Sequence, residues 1–280
     1  MTACVTEFAR AKINLALHVL GRRPDGYHEL DSIVAFADIG DRLVFEPADR
    51  FGITATGPFA ADLPREADNI IHKAYVAVAD YARTHGVGVA PVHVRLEKNL
   101  PIASGLGGGS ANAAATLRAL FRLYRLAPHP ALALELGADV PACFGQAACH
   151  MQGMGERITP LNGFQPLPAV LVNPRIAVST AAIFRDLGLE SGSAHRDAIA
   201  DPGDMRGWRN DLTDAAVALV PSIATVIAAL EDHNGAVAAR MSGSGATCFG
   251  VFETKAYARE AAQSLSVANP TWWVRAAIIG

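Results

Sequence analysis

Apolar residues alternate with polar or small ones along residues 11–20, AKINLALHVL, close to the start of the chain. A period of two is typical of a β-strand with one buried face, and it puts Lys12 and Asn14 together on the other face. Pro-Asp-Gly at 24–26 is a turn signal. The front of the chain therefore predicts an antiparallel-looking sheet, with strands at 11–20, 31–38 and 41–46 and a break at Gly40-Asp41 between the last two.

Apolar residues spaced three or four apart predict helices farther along the chain. Residues 69–84 carry such a stripe, and a second stripe begins at about Ser110 and ends near Tyr124. Between them, residues 91–100 return to alternation and predict another strand. A short third helix is predicted at 130–136.

Glycine and proline concentrate in residues 152–168, which predict the boundary between two domains, 1–160 and 161–280. The apolar run 215–230 predicts a buried helix, with Pro221 at a kink or in the first turn of a second helix. The other predicted segments of this half are a strand at 169–174, a helix start at 179–187, a polar surface loop at 190–211, a helical stretch at 211–232, a helix at 255–266 and a strand at 272–279. Strands and helices alternate without a regular βαβ period, so the predicted fold class is α+β.

Composition narrows the classes of protein to which this chain can belong. It has 280 residues, of which 51% are hydrophobic and 18% are charged, enough for a sizeable core. The net charge of −3, from 24 basic and 27 acidic residues, provides no overall basic field to attract nucleic acid. The four cysteines form no CxxC pair, as expected of an intracellular, reduced protein. No apolar run is long enough to span a bilayer. Charged residues Glu7, Arg10 and Lys12 stand where a signal peptide would need an apolar core. We therefore expect a soluble, cytoplasmic protein with no nucleic-acid partner and no membrane association.

Four of the five residues from Gly105 to Gly109 are glycine, and an alanine-rich stretch follows them at once. The loop is not a Walker A motif, because no lysine follows the glycines, and it is not a dinucleotide fingerprint, because Ser110 replaces the third glycine. It contains no G-x-S-x-G nucleophile elbow. What remains is a run of bare backbone amides leading into a helix N-terminus, a combination that binds phosphate. The alternative is a tight turn at which the helix packs closely on the sheet.

Three stretches of the sequence resemble the motifs of one family. PIASGLGGGSANAAA at 101–115 is similar to the phosphate loop of the GHMP small-molecule kinases, and AKINLALHVLGRRPDGYHEL at 11–30 and MSGSGATCFGVF at 241–252 are similar to two further motifs of that superfamily. The resemblance covers nearly the whole chain. It implies a two-domain α+β fold, with an N-terminal ATP-binding domain of ribosomal-protein-like fold and a C-terminal substrate-binding domain that is a ferredoxin-like α/β sandwich.

The motif at 11–30, together with GADVP at 137–141, narrows the resemblance to GHMP kinases of the non-mevalonate isoprenoid pathway that act on a cytidine diphosphate polyol. The resemblance implies transfer of the ATP γ-phosphoryl group to the tertiary 2-hydroxyl of that polyol. The alternatives are a GHMP kinase acting on mevalonate, homoserine or a sugar, and a nucleotide-binding regulator that has lost the chemistry. We expect a monomer or a weak homodimer.

The resemblance also implies the catalytic pair. Asp139 would be the base, and Lys12 would keep that carboxylate ionised and favour the developing alkoxide. From the local sequence alone, Asp139 would be a turn or cap residue and Lys12 a lysine on a solvated face. Asn14 lies two residues from Lys12 on the same strand face and is implied to position the substrate.

Three side chains are implied to recognise the cytosine base of the acceptor. Tyr27 and Phe184 would stack on its two faces, and His28 would form a hydrogen bond to it. The further substrate contacts that the resemblance implies are Ser179 and Thr180, on the methylerythritol side, and Gly243 and Ser244, in a second glycine loop that closes over the transferring phosphate.

The implied cofactor is ATP. Asn69 and Lys98 correspond to positions that line the adenine pocket of the family. The loop residues implied to contact the nucleotide are Pro101, Ile102, Ala103, Ser104, Gly105, Leu106, Gly107, Gly108, Gly109, Ser110 and Ala111. Mg²⁺ is expected with the nucleotide to offset phosphate charge, and Ser110 is the one residue that suggests itself as a protein ligand.

Overall fold

The computed structural model describes residues 4–193 and 197–280, which contain ten β-strands and eight α-helices. The strands are β1 (Val5–Arg22), β2 (His28–Pro47), β3 (Gly52–Thr56), β4 (Val92–Glu97), β5 (Cys149–Gly153), β6 (Arg157–Pro160), β7 (Leu167–Asn173), β8 (Ala236–Met241), β9 (Cys248–Phe252) and β10 (Trp273–Ile279). The helices are α1 (Ile70–Thr84), α2 (Gly108–Tyr124), α3 (Pro130–Leu136), α4 (Val140–Gly145), α5 (Thr180–Asp186), α6 (Thr213–Leu219), α7 (Ser222–Glu231) and α8 (Lys255–Ala268). The α+β class predicted from the sequence is confirmed.

The chain divides into two compact units, and the first consists of the residues up to Ala11, Ile39–Ile102 and Gly107–Gln146. In its sheet, β4 runs antiparallel to the second half of β2 and parallel to β3. Helices α1 and α2 pack against each other. Helix α2 buries nearly every side chain in its middle, which explains why small alanines dominate it.

The second unit consists of Lys12–Asp38, Ala103–Leu106 and Ala147–Gly280. Its sheet has the antiparallel order β2, β10, β7, β9, β8, and the hairpin of β5 and β6 also pairs with β2. Helices α7 and α8 cover one side of these strands, and an apolar core that includes Val170, Phe252 and Leu265 lies between them. Both glycine-rich stretches predicted to hold phosphate contribute residues to this unit.

The structure of strands β1 and β2 differs from two predictions made from the sequence. Residues 11–19 of β1 are buried on both faces of the strand, with Lys12 3% and Asn14 1% exposed, so the prediction of a solvated polar face is wrong. Strand β2 is one continuous strand, so the predicted break at Gly40 and Asp41 is also wrong. Gly40 is required there because a Cβ would collide with the carbonyl oxygen of Ala9, and the Asp41 carboxylate is buried among hydrogen-bond donors.

The helices at 69–84, 130–136 and 255–266 are confirmed within two residues at each end, and α2 begins two residues before the predicted Ser110. The run 215–230 forms two helices, and Pro221 directly precedes the second. The segment 190–211 is not wholly a surface loop, because Ile199, Trp208 and Asn210 are buried. Residues 194–196 of that segment lie outside the described residues.

Five strands were not predicted from the sequence, namely β3, β5, β6, β8 and β9. Strand β3 has five residues and no fully buried side chain, and β5 and β6 form a hairpin in the Gly- and Pro-rich stretch interpreted as a boundary. The predicted domains 1–160 and 161–280 remain a prediction. Among residues 4–193 and 197–280, no helix has both the length and the apolar character needed to cross a membrane.

Candidate active site

The first glycine-rich loop leads directly into α2, as predicted. Gly107 occupies the N-cap position in a left-handed conformation, with φ of 60°, and the first turn of the helix contains no acidic residue. Gly105 also has a positive φ, 77°, and a Cβ on it would collide with the carbonyl oxygen of Ser242. The glycines are therefore needed for both backbone conformation and close packing, and the 17-residue helix presents its positive end to any anion bound there.

Lys98 is buried in the first unit, only 2% exposed, beside the start of α2. Its Nζ lies 2.6 Å from Oδ2 of Asp41, and the other carboxylate oxygen of Asp41 accepts hydrogen bonds from the backbone amides of Asn99 and Leu100. Burial lowers the pKa of Lys98, and the Asp41 carboxylate opposes that shift. A Cβ on Gly108 would stand 3.3 Å from Lys98 Nζ, so the ammonium group lies against the first residue of α2.

Asn69 caps the N-terminus of α1, where its side-chain oxygen accepts a hydrogen bond from the amide of Ile71 at 3.0 Å. The residue is 5% exposed. Because capping uses the side-chain oxygen, the amide NH₂ group is the part that could donate to a ring nitrogen of adenine.

The predicted catalytic pair falls in different units. Asp139 is half-buried at the N-cap position of α4 in the first unit, as the local sequence suggested. Lys12 belongs to the second unit, and its backbone amide donates to the carbonyl of Leu106 in the glycine loop at 2.9 Å. The pairing of their side chains remains a prediction.

The second glycine loop joins β8 to β9 and gathers several predicted substrate contacts. Ser242 Oγ accepts a hydrogen bond from the backbone N–H of Asn14 at 3.1 Å and donates one to the carbonyl of Gly105 at 2.9 Å. The hydroxyls of Thr180 and Ser244 are 2.7 Å apart. The structure thus brings Asn14, Thr180 and this loop together within the second unit.

Two asparagines that the sequence analysis did not identify hold this loop. The amide nitrogen of Asn210 donates to the carbonyls of Met241 and Gly243, both at 2.8 Å, and the amide nitrogen of Asn173 donates to Thr247 Oγ1 at 2.8 Å. Asn210 is in a segment interpreted as a polar surface loop, and no local pattern distinguishes it there.

His28 and Phe184, both predicted to recognise a base, lie side by side. Their ring centroids are 4.7 Å apart and the rings are tilted by 33°. Within the described ranges His28 Nε2 is buried without a hydrogen-bond partner, and burial, helped by the Arg22 charge, lowers the pKa of this histidine. Tyr27 is 62% exposed, so its ring is available to a ligand. Ser179 caps the N-terminus of α5.

The described residues were examined for side chains that could together hold a metal ion. In the part of the chain that the structure describes, no three His, Cys, Asp or Glu residues cluster where they could hold a metal ion. Ser110, partly exposed in the first turn of α2, is the one candidate that the sequence suggested.

Comparison with protein families gives matches in both halves of the chain. The model for the GHMP kinases N terminal domain matches residues 69–153, and the model for the GHMP kinases C terminal matches residues 194–269. Together these matches confirm the predicted two-domain GHMP-kinase fold.

Individual relatives agree with this result. A 4-diphosphocytidyl-2-C-methyl-D-erythritol kinase of Cereibacter sphaeroides is 49% identical over 95% of this chain and 96% of its own. A kinase of the same name from Parvibaculum lavamentivorans is 45% identical over 100% of both chains.

Among solved structures, a 4-(cytidine 5'-diphospho)-2C-methyl-D-erythritol kinase is 32% identical, with a TM-score of 0.82 over 99% of each chain. A homoserine kinase from Cytophaga hutchinsonii, 18% identical with a TM-score of 0.72 over 98% of this chain and 94% of that chain, shares the fold. Because kinases of one name match along almost their whole length, the chain belongs to the 4-diphosphocytidyl-2-C-methyl-D-erythritol kinase family of the GHMP kinases.

Proposed function

We propose that this chain transfers the γ-phosphoryl group of ATP to the 2-hydroxyl of 4-(cytidine 5'-diphospho)-2-C-methyl-D-erythritol. Family membership supports the kinase activity. The observation that carries the choice of acceptor is the aromatic pair of His28 and Phe184, which suits a planar base.

In this proposal the cytosine lies against Phe184, and His28 forms the hydrogen bond that gives base specificity. The unpartnered His28 Nε2 supports this role, because a buried ring nitrogen without a partner is costly unless a ligand supplies one. The lowered pKa keeps the imidazole neutral near pH 7, so one ring nitrogen can accept and the other can donate. Tyr27, which is exposed, would stack on the other face of the base.

The polyol would lie along the second glycine loop. Thr180 and Ser244 offer two hydroxyls 2.7 Å apart, each able to donate or accept, and Asn14 and Gly243 lie beside the same loop. Ser179 continues this polar edge at the start of α5. A polyol, whose hydroxyls both donate and accept, suits such a surface better than a carboxylate does.

Asp139 would accept the proton of the 2-hydroxyl as its oxygen bonds to the γ-phosphorus, while the bond from that phosphorus to the β,γ-bridging oxygen breaks and ADP leaves. Lys12 would stabilise the negative charge that develops on the attacking oxygen. Its near-complete burial strengthens this interaction, because charges interact more strongly away from bulk water.

ATP would be held mainly by backbone groups. The amides of Ser104–Ser110 and the N-terminus of α2 would cradle the phosphates, and Asn69 and Lys98 would contact the adenine side. Mg²⁺ bound to the nucleotide would neutralise phosphate charge, with the Ser110 hydroxyl as its candidate protein ligand.

The test is an acceptor panel in which ADP release is measured with the cytidine diphosphate polyol, mevalonate, homoserine and galactose. We expect ADP release with the cytidine compound alone. Asp139→Asn should lower kcat by roughly 10²-fold or more while ATP binding survives, since a general base contributes about 10²–10⁴-fold. Asp80→Asn, which alters an exposed carboxylate on α1, is the matched control and should keep wild-type kcat. ADP release with a different acceptor, or equal turnover in the Asp139 variant, would contradict the proposal.

A further inference from the structure

The side chain of Asn14 is fixed by a serine that the proposed mechanism does not use. Asn14 lies in β1 and is 1% exposed, and its amide nitrogen donates to Ser32 Oγ at 2.8 Å. Ser32 lies in β2 and is fully buried. Its hydroxyl in turn donates to the carbonyl of Ala16 at 2.5 Å. These three residues form a short chain of hydrogen bonds within the second unit.

The direction of this chain follows from the chemistry of its members. A carbonyl oxygen can only accept, so the single hydroxyl hydrogen of Ser32 is committed to Ala16. Toward Asn14, Ser32 Oγ can therefore only accept, and the atom that faces it must be the amide nitrogen. Rotating the amide by half a turn would bring two acceptors together and lose the hydrogen bond.

The side-chain oxygen of Asn14 is consequently directed away from Ser32. It lies 3.3 Å from the place that a Cβ on Gly243 would take, so it faces the second glycine loop. The structure gives this oxygen no hydrogen-bond partner anywhere in residues 4–193 and 197–280. Because the amide nitrogen is the part that binds Ser32 and the oxygen faces the loop, this oxygen is available to accept a hydrogen bond from a donor supplied by a ligand.

We propose that Ser32 is a positioning residue for acceptor recognition, which holds the Asn14 amide so that its oxygen accepts a hydrogen bond from a hydroxyl of the acceptor. The inference rests on the proposed function and deepens it, because it names the kind of group recognised. A hydroxyl can donate, whereas a phosphate or carboxylate oxygen would be repelled. A site built to bind a hydroxyl discriminates strongly against an analogue that lacks it, because its own acceptor is then left unpaired.

A matched pair of variants tests the role of the hydroxyl. Ser32→Thr keeps the hydroxyl, and Ser32→Val has the same shape as threonine without it. Each is assayed with the natural acceptor and with deoxy analogues that lack one hydroxyl other than the one phosphorylated. In the wild type and in Ser32→Thr, one deoxy analogue should lose at least about tenfold in kcat/KM. In Ser32→Val, that loss should shrink to less than about threefold, because the amide is free to rotate, while the KM for ATP stays within about twofold.

The inference is overturned if Ser32→Val keeps the wild-type penalty for that analogue, or if the wild type discriminates against no deoxy analogue. Thermal unfolding followed by circular dichroism shows whether each variant folds, and Ser32→Ala takes the place of the valine variant if that one does not. A loss of stability alone would change kcat or expression without changing the ratio between two acceptors. If the wild type phosphorylates no cytidine diphosphate polyol, the proposed function itself fails, an outcome distinct from a wild type that is active but does not depend on Ser32.

Discussion

Replacing Asp41 by asparagine removes the charge that neutralises Lys98 in the first unit. The two side chains are 0% and 3% exposed, and their charged atoms are 2.6 Å apart. Asp41 also accepts two backbone hydrogen bonds, from Asn99 at 2.7 Å and Leu100 at 2.9 Å. The carboxylate therefore neutralises the Lys98 ammonium group and fixes the backbone of Asn99 and Leu100, which leads into the first glycine loop.

The cost of the substitution can be worked from these contacts. Breaking a buried ion pair by removing one partner costs about 3–5 kcal/mol, because the other charge stays buried. Asparagine keeps one oxygen for the backbone amides, so we expect a loss near the lower end, about 3 kcal/mol. Asp80→Asn removes an exposed ion pair with Arg83 and should cost less than about 1 kcal/mol.

Urea denaturation followed by circular dichroism measures these differences, provided that the m-value is unchanged. Asp41→Asn should also raise the KM for ATP and leave the acceptor KM unchanged, because Lys98 lies against the start of α2. The double variant with Lys98→Met should recover part of the lost stability, since no unpaired charge remains. A loss below about 1 kcal/mol for Asp41→Asn would refute the reasoning.

Three further predictions concern the glycine loop, the base site and pH. Gly105→Ala should lower both stability and kcat, because φ is 77° and its Cβ would collide with a backbone carbonyl, whereas Gly188→Ala, with φ of 64° and open space, should cost only about 1 kcal/mol in urea denaturation. Phe184→Leu should raise the acceptor KM about 5- to 150-fold with the KM for ATP unchanged, since stacking on a base contributes about 1–3 kcal/mol, and equal changes in both constants would contradict that role. Burial lowers the pKa of His18 and His28 from 6.5, so the unfolded chain binds protons more tightly. The contribution of these two histidines to the free energy of unfolding should therefore fall as the pH drops below 6.5; a free energy of unfolding that rises on acidification just below pH 6.5 would contradict the assignment.

The periodic segments were predictable because their patterns are local. The stripe of α1 and the alanine-rich α2 appear in the sequence at the correct spacing, and glycines before a helix indicate phosphate binding without knowledge of the fold. The motifs of the family added residue roles that periodicity alone could not provide.

The errors occur where a buried polar residue has a partner far away in the sequence. Gly40 and Asp41 look like a turn, but Gly40 allows close packing against Ala9 and Asp41 binds residues more than fifty positions later. Asn210 was placed in a surface loop for the same reason, since its amide nitrogen binds backbone carbonyls more than thirty positions later. No local pattern encodes such pairings.

The most direct test of the central claim is the position of the transferred phosphate. The chain is incubated with ATP and 4-(cytidine 5'-diphospho)-2-C-methyl-D-erythritol, and the product is examined by phosphorus and carbon NMR. The account predicts a new phosphate monoester on the tertiary 2-hydroxyl, formed in equal amount with ADP and formed at least roughly 10²-fold more slowly by Asp139→Asn. A phosphate on any other hydroxyl, or ADP formed without a phosphorylated acceptor, would contradict it.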